Sequence, residues 1–310
     1  MVVTIIILIV SLVMVVAGAE WLVDGASAIA RKSGVSEFVI GLTIVGFGTS
    51  CPELVVSLTG AIKGISDIAL GNVVGSNIFN TLLILGITAV ISPLAITSKN
   101  KFRDIPVGVT VTAILCGLVI YGSIGRVAGA AFILLFAAYM FYCFKTDGKD
   151  EESDVQEKNV TLFKAIVLTL VGLAFLIVGG KYFVDSAEKI ARALNVSDKF
   201  IAITLLAGGT SLPELVTCII AASRGKGQLA LGNILGSNVF NILLILGCSA
   251  LVRPISCLGM HPVDTAVLMV SAVLVFTAAY TGKKNELDRF DGAIMLACEA
   301  GYMIWLFVTA

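Results

Sequence analysis

Residues 48–55 read GTSCPELV, and residues 209–216 read GTSLPELV. The offset of 161 residues also aligns ALGNVVGSNIFNTLLILG at 69–86 with ALGNILGSNVFNILLILG at 230–247. It holds without a gap from about residue 20 to residue 93, where the run IARKSGVS matches IARALNVS. Agreement over about 75 positions indicates that the chain arose by duplication of one half.

Composition excludes an ordinary water-soluble protein. Of 310 residues, 58% are hydrophobic and only 14% are charged, and the mean hydropathy is +1.02. Soluble domains carry about a quarter charged residues. The 21 basic and 21 acidic residues cancel, so no global basic field would attract nucleic acid. One His and the absence of a CxxC pair argue against a His/Cys metal site or a thiol redox enzyme.

Apolar stretches are long enough to cross a membrane, since a hydrocarbon core about 30 Å thick takes about 20 helical residues. The first has no Lys or Arg before Arg31, which favours a retained span over a cleaved signal peptide. The sequence therefore predicts an all-α membrane protein with ten transmembrane helices. The ten stretches lie at about 2–19, 38–62, 67–93, 105–122, 127–144, 161–180, 199–222, 228–251, 264–281 and 291–309.

The predicted organisation is a five-helix repeat at 1–144, a polar linker at 145–160 and a second repeat at 161–310. Because five crossings reverse the side of entry, the repeats are expected to be inverted. Loops after odd-numbered spans hold fourteen Lys and Arg, and the other loops hold seven. Basic residues accumulate on the cytoplasmic side, so we expect both termini outside a cell membrane and the linker in the cytoplasm. The linker is interpreted as a hinge, with weak regulatory cation binding by its acidic cluster as the alternative.

Glu53 and Glu214 occupy equivalent places and are interpreted as the only acidic residues deep inside apolar stretches. A carboxylate at membrane depth costs at least about 3 kcal/mol on insertion scales. Each therefore needs a cation, a proton or a polar cavity, and an ion pair within the helix bundle is the structural alternative. Inverted repeats with interrupted helices are typical of secondary transporters.

Each glutamate follows a proline, which removes an N–H and displaces the carbonyl four residues earlier, that of Gly48 or Gly209. Freed carbonyls and neighbouring hydroxyls predict an all-oxygen environment that suits Ca²⁺ and Na⁺ better than zinc or copper. Helix packing by small residues is the alternative role. The four hydroxyls are those of Thr49, Ser50, Thr210 and Ser211.

The second motif places polar residues four apart, so they share one helix face. Amide side chains supply neutral oxygen ligands and also donors. Interhelical hydrogen bonding is the competing interpretation for any single Asn. The residues are Asn72, Ser76 and Asn80 with Asn233, Ser237 and Asn241, and Asn77 and Asn238 widen each stripe.

These two duplicated motifs resemble the paired repeat signatures of the calcium:cation antiporter superfamily, and most closely those of prokaryotic sodium/calcium exchangers. The resemblance covers essentially the whole chain. It implies ten transmembrane helices and alternating access, in which the first and sixth helices slide against a bundle that holds the ions. It also implies Ca²⁺ and Na⁺ as transported substrates, with the lipid bilayer as surroundings and neither a cofactor nor a protein partner.

The resemblance further implies a ligand set. Thr49, Ser50, Thr210 and Ser211 match hydroxyl and carbonyl ligands, and the pair Gly46 and Ala207 matches backbone-carbonyl positions. The remaining matches are the central Glu53 and Glu214, the supporting Ser76 and Ser237, and the last motif residues Asn80 and Asn241. Potassium-dependent members have Asp at one of the last two places, so this chain departs from that branch and keeps two fixed negative charges.

Two charges suggest that one Ca²⁺ neutralises the site, whereas three Na⁺ leave one positive charge, so exchange is expected to be electrogenic. An H⁺/Ca²⁺ antiporter and a K⁺-dependent exchanger remain alternatives within the superfamily, because a buried Glu also carries protons. A cation channel is the alternative from another class. An enzyme is not expected, since His261 stands alone and no nucleophile and base pair is evident.

Overall fold

The computed structural model of the chain is built almost wholly of helices joined by short loops. It describes residues 2–147, 161–194, 207–281 and 285–309. The predicted linker 145–160 lies outside the described residues from residue 148 onward, and so does the predicted span 199–222 up to residue 206. The same holds for five basic residues used to predict orientation, which are Lys149, Lys158, Lys199, Lys283 and Lys284.

We number the helices of the described ranges in chain order. A further helical turn, Ala207–Gly209, precedes α8. The helices are α1 Val2–Ser33, α2 Glu37–Thr49, α3 Cys51–Lys63, α4 Ser66–Ile91, α5 Asn100–Tyr121, α6 Arg126–Thr146, α7 Leu162–Ala193, α8 Leu212–Ser223, α9 Gly227–Val252, α10 Pro262–Thr281 and α11 Arg289–Thr309.

Within these ranges, eight helices are long and apolar enough to cross a membrane, and the bent pair α2 and α3 makes a ninth candidate span. Helix α8 is apolar but has only 12 residues. The prediction of an all-helical, multi-pass membrane protein is therefore confirmed. The count of ten remains a prediction, because residues 195–206 are not described.

Helices α1 and α7 are longer than the apolar stretches from which they were predicted. Each has 32 residues, about 48 Å at 1.5 Å per residue, against predictions of 2–19 and 161–180. Hydropathy marks only the part of a helix that matches the hydrocarbon thickness, so the polar turns beyond it carry no such signal.

The predicted stretch 38–62 is two helices that meet at an angle of 51°. Ser50 lies at the break with φ −83° and ψ 8°, and Pro52 stands in the first turn of α3. Ser211 has nearly the same backbone conformation, φ −90° and ψ 9°, before Pro213. Proline at these places cannot continue the preceding helix, so the break that the sequence predicts is present in both halves.

Helices α4 and α9 form the centre of the molecule. In their most apolar stretches 67% and 78% of the residues are buried within the protein, against 17–33% in the other six long helices. Glycine allows the close approach to α2, because a Cβ at Gly236 would clash with the backbone of Leu42. Both central helices also contain wider π-helical turns, at Asn80–Ile84 and Phe240–Leu246. Such turns often occur at functional sites.

Two short antiparallel strand pairs join loops of the two halves through backbone hydrogen bonds. Strand β1, Leu94–Ala95, pairs with β4, Glu286–Leu287, and β2, Ser123–Ile124, pairs with β3, Ile255–Ser256. Each pair joins one loop of the first half to one loop of the second. These pairs are not predictable from the sequence, since two residues are too few to show a strand pattern.

Helices α1 and α7 pack along their length in opposite directions. A Cβ at Gly18 would lie 2.8 Å from the Gly172 carbonyl oxygen, and one at Gly179 would lie 3.1 Å from that of Ser11. The offset of 161 relates Ser11 to Gly172 and Gly18 to Gly179, so the two contacts are equivalent. Small residues that let backbones approach are the usual means of helix association in membranes.

Replacing Gly172 by Leu should force α1 and α7 apart, because its Cβ would lie 2.6 Å from the Leu22 backbone nitrogen. We expect the free energy of unfolding to fall by about 1–3 kcal/mol or more, as overpacking does elsewhere. The measurement is the thermal unfolding midpoint of the purified protein in detergent. Gly117→Ala is the matched control, since no atom lies within 4 Å of its Cβ. Equal midpoints for G172L and the wild type would contradict this account of the packing.

Candidate ion-binding site

The two helix breaks place serine and glutamate side chains so that the serine of each half hydrogen-bonds the glutamate of the other half. The Ser50 hydroxyl donates to Glu214 Oε1 at 3.0 Å, and the Ser211 hydroxyl donates to Glu53 Oε1 at 3.0 Å. Both glutamates are fully buried. The offset of 161 converts one contact into the other, so the site lies between the halves and neither half forms it alone.

Each glutamate keeps one carboxyl oxygen without a hydrogen bond. Glu53 Oε2 and Glu214 Oε2 are buried and have no partner in the described part of the chain. Among those residues, neither glutamate takes part in an ion pair. Buried charges are ordinarily paired or bound to metal ions, so two such oxygens are suited to receive a cation. The ion-pair alternative considered for these glutamates has no support in this geometry.

The first asparagine of each second motif supports the bend of its own half. Asn72 Nδ2 donates to Ser57 Oγ at 2.9 Å and to the Glu53 carbonyl oxygen at 3.2 Å. In the second half, Asn233 Nδ2 lies 3.1 Å from Cys218 Sγ. Ser57 and Cys218 are equivalent by the offset of 161, so the first asparagine contacts a hydroxyl in one half and a thiol in the other.

The middle asparagines of the second motifs hold α4 and α9 together. Asn77 Nδ2 donates to the Asn238 carbonyl oxygen at 3.1 Å, and Asn238 Nδ2 donates to Thr81 Oγ1 at 2.8 Å. Asn241 Nδ2 donates to Asn77 Oδ1 at 2.9 Å. Interhelical hydrogen bonding, the alternative considered for single asparagines, is thus the geometry found for Asn77 and Asn238.

The last asparagines of the motifs are different. Both side-chain heteroatoms of Asn80 and the Oδ1 of Asn241 are buried, with no hydrogen-bond partner among the described residues. Amide oxygens in this condition suit a hard cation. No contact in the structure therefore assigns Asn80 to helix packing, and its role as an ion ligand remains a prediction.

The remaining candidate residues surround these groups. Thr49 Oγ1 lies 3.1 Å from the Val45 carbonyl oxygen and 3.2 Å from Asn233 Oδ1. Thr210 Oγ1 is buried and has no partner in the described ranges. The other four are placed by backbone or burial: Gly46, whose carbonyl lies 3.5 Å from Ser237 Oγ; Ser76 and Ser237, both buried; and Ala207, which begins the turn before Thr210.

The chain matches the family described as "Sodium/calcium exchanger protein" over residues 3–145 and 164–308. The chain belongs to the sodium/calcium exchanger family. Its overall shape agrees with that of the sodium-calcium exchanger NCX_Mj, with a TM-score of 0.86, 33% identity and coverage of 98% of both chains.

Two relatives of this exchanger family align over nearly their full length. "Sodium/calcium exchanger MaX1" of Methanosarcina acetivorans is 35% identical, over 97% of this chain and 97% of the relative. "Inner membrane protein YrbG" of Escherichia coli is 33% identical, over 96% and 94%. The chain is therefore a member of a family of membrane antiporters and not an enzyme, as the sequence predicts.

One sequence interpretation is wrong. Glu53 and Glu214 are not the only acidic residues deep inside apolar stretches, because Glu299 in α11 is 3% exposed. Glu299 lies within the predicted stretch 291–309, and its flanking Cys298 and Ala300 give no polar signal. It lies outside the repeated motifs, which identify Glu53 and Glu214 by their equivalent positions.

The reciprocal serine contacts predict matched effects on stability. Ser50→Ala and Ser211→Ala each leave one more buried carboxyl oxygen without a partner, which costs about 1–3 kcal/mol. We expect both variants to lower the thermal unfolding midpoint by similar amounts in detergent containing a chelator and no Na⁺. Ser223→Ala is the control, since its exposed hydroxyl bonds only within its own helix. A fall in one variant alone would show that the halves do not share the site equally.

Proposed function

We propose that this protein is a secondary active antiporter that exchanges Na⁺ for Ca²⁺ across the cell membrane by alternating access. The observation that carries the proposal is the pair of buried glutamates, each bonded to a serine of the other half and each keeping one oxygen without a partner in the described ranges. A carrier needs a site that both sides of the membrane can reach in turn, and a site between two halves meets that need.

The proposed ligands are all oxygens. Ca²⁺ takes six to eight oxygen ligands from carboxylates, amides, hydroxyls, carbonyls and water. The neighbourhood of the two glutamates offers each of the protein groups, and it brings together donors from both halves. We assign this set to Glu53, Glu214, Thr49, Ser50, Thr210, Ser211, Asn80, Asn241 and the backbone of Gly46 and Ala207, with Ser76 and Ser237 in support.

Charge favours a stoichiometry of three Na⁺ to one Ca²⁺. Glu53 and Glu214 supply two negative charges, which one Ca²⁺ neutralises, while three Na⁺ leave the loaded carrier with one positive charge. Asn80 and Asn241 add no third negative charge that would favour K⁺ as a further ion. One net charge moved per cycle is worth about 2.3 kcal/mol for each 100 mV.

We propose ten spans in two inverted repeats, with both termini outside. The antiparallel packing of α1 on α7, the reciprocal serine contacts and the two strand pairs between halves support an inverted arrangement. The predicted span 199–222, of which α8 is the described part, supplies the tenth crossing. The excess of basic residues in the loops after odd-numbered spans supports the orientation.

Transport in proteoliposomes tests the coupling. We expect ⁴⁵Ca²⁺ to enter Na⁺-loaded vesicles, faster when the interior is made positive, because one net positive charge leaves in each cycle. Outward K⁺ or H⁺ gradients alone should not drive uptake. Uptake driven by H⁺ alone would establish the H⁺/Ca²⁺ alternative, and uptake indifferent to voltage would contradict the proposed stoichiometry.

Glutamate variants test the site itself. Glu53→Gln and Glu214→Gln each remove one of two ligand charges, so we expect Ca²⁺ affinity to fall at least about tenfold and exchange to be lost. Affinity is measured by calorimetry in detergent and exchange by the vesicle assay. Glu188→Gln is the matched control, because that glutamate lies at a half-exposed ion pair on α7. Exchange that survives in the E53Q/E214Q double variant would refute the site.

Ion pairs between α1 and the loop after α8 support the two-state cycle. Arg224 bonds Glu20 at 2.9 Å and Asp24 at 2.7 Å. The offset of 161 relates Arg224 to Lys63 and Asp24 to Asp185, yet no ion pair joins Lys63 to Asp185 in the described part of the chain. Two inverted halves in one conformation are expected to differ in this way, with each pair formed in one state.

Arg224→Gln should therefore shift the population toward the other state, whereas Lys63→Gln should leave this state favoured. The measurement is the distance distribution between spin labels on α1 and α9 in lipid bilayers without Ca²⁺. We expect the R224Q distribution to move and the K63Q distribution to stay. Identical distributions for both variants and the wild type would show that the Arg224 contacts do not bias the cycle.

A further inference from the structure

Glu299 is a third buried carboxyl, away from the repeated motifs. It stands in the middle of α11, Arg289–Thr309, and is 3% exposed. Both of its carboxyl oxygens are buried, with no hydrogen-bond partner in the described ranges. The ion site proposed above makes no use of this group.

Among the described residues, the helices packed against α11 bring no positive charge to Glu299. Helix α11 packs on α4 where Gly292 meets Gly86, and the part of α4 in contact, residues 80–91, has no titratable side chain. Helix α10 contributes Asp264 near its start and Tyr280 near its end. On α11 itself the near titratable residues are Cys298 and Tyr302. An ionised Glu299 would therefore lie uncompensated at membrane depth, at a cost of at least about 3 kcal/mol.

The surroundings of Glu299 favour a proton over a metal ion as its ligand. Na⁺ and Ca²⁺ need several oxygen ligands, and the described residues place no hydrogen-bonding atom on either carboxyl oxygen of Glu299. A proton neutralises the carboxyl without further ligands. We propose that Glu299 is a proton-binding site, neutral in the folded protein, that exchanges its proton with the membrane face carrying His261.

Polar and aromatic side chains lie between the middle of α11 and that face. Tyr302 donates to Asp264 Oδ1 at 2.8 Å, and the His261 ring lies 4.9 Å from the Trp305 ring. Tyr302 is three residues from Glu299, so the two are neighbours on the surface of α11. Tyr302 therefore lies between Glu299 and the end of α11, beside the start of α10.

The first half also contains a tyrosine that donates to a buried aspartate, but that aspartate has a basic partner. Tyr139 donates to Asp104 Oδ1 at 2.8 Å, but Arg103 also bonds Asp104, at 2.7 Å. In the described part of the chain no basic residue pairs with Asp264, so the carboxyl next to Tyr302 lacks the cationic partner that Asp104 has.

Infrared spectroscopy tests the proposal without relying on transport. The protein is reconstituted in lipid bilayers as the E53Q/E214Q double variant, and its spectrum is compared with that of the triple variant that adds Glu299→Gln. At neutral pH we expect the carbonyl band of a protonated carboxylic acid in the double variant and its loss in the triple variant. Raising the pH should convert that band to carboxylate in the double variant alone. Identical spectra at neutral pH would overturn the proposal, whatever the exchange assay reports.

A second measurement tests the route. After transfer to D₂O, the carboxyl band of Glu299 should shift as its proton is replaced, and Tyr302→Phe should slow that shift. Ser271→Ala, a buried hydroxyl on α10 bonded within its own helix, is the control. Should E299Q not fold, comparison of the E53Q/E214Q variant with and without Tyr302→Phe keeps the test decisive. An unchanged rate in Y302F would overturn the proposed exchange through Tyr302.

Discussion

The arrangement of the helices depends on two carboxyl groups, because an unpartnered carboxylate at membrane depth is energetically costly. Glu53 and Glu214 are fully buried, and each is hydrogen-bonded by the serine of the opposite half. This brings both helix breaks to one place, and glycines on α9 let it pack closely against the helix before the first break. The asparagine contacts between α4 and α9 and the long α1 and α7 pair then hold the halves around that centre.

Much of this was predictable because the relevant signals are local. The duplicated motif located the breaks at Pro52 and Pro213, and the hydropathy pattern located the candidate spans. The strand pairs and the bond from Ser50 to Glu214 were not predictable in detail, since they join residues far apart in the chain and no local pattern records the partner. Glu299 was not predicted because it lies outside the duplicated motifs, and the equivalent position in the first half, residue 138, is alanine.

Departures from the internal symmetry carry information of their own. Where Asn72 finds the Ser57 hydroxyl, Asn233 finds the Cys218 thiol, a weaker acceptor in the same position. Such differences leave the backbone arrangement of the repeats intact while changing how firmly each asparagine is held. A carrier built from two identical halves would face both sides of the membrane alike, so differences of this kind are a means by which the two directions of transport can acquire different properties.

The protein handles buried carboxyl groups in three physically different ways. Asp104 is paired within the chain with Arg103 at 2.7 Å, which is a structural contact. Glu53 and Glu214 face each other's half with one oxygen unpartnered in the described ranges, which suits a cation that comes and goes. Glu299 has neither a basic partner nor a coordinating neighbour there, which leaves the proton as its neutralising ligand. The neighbours of each carboxyl therefore distinguish the structural ion pair of Asp104 from the ion exchange proposed for Glu53 and Glu214 and the proton binding proposed for Glu299.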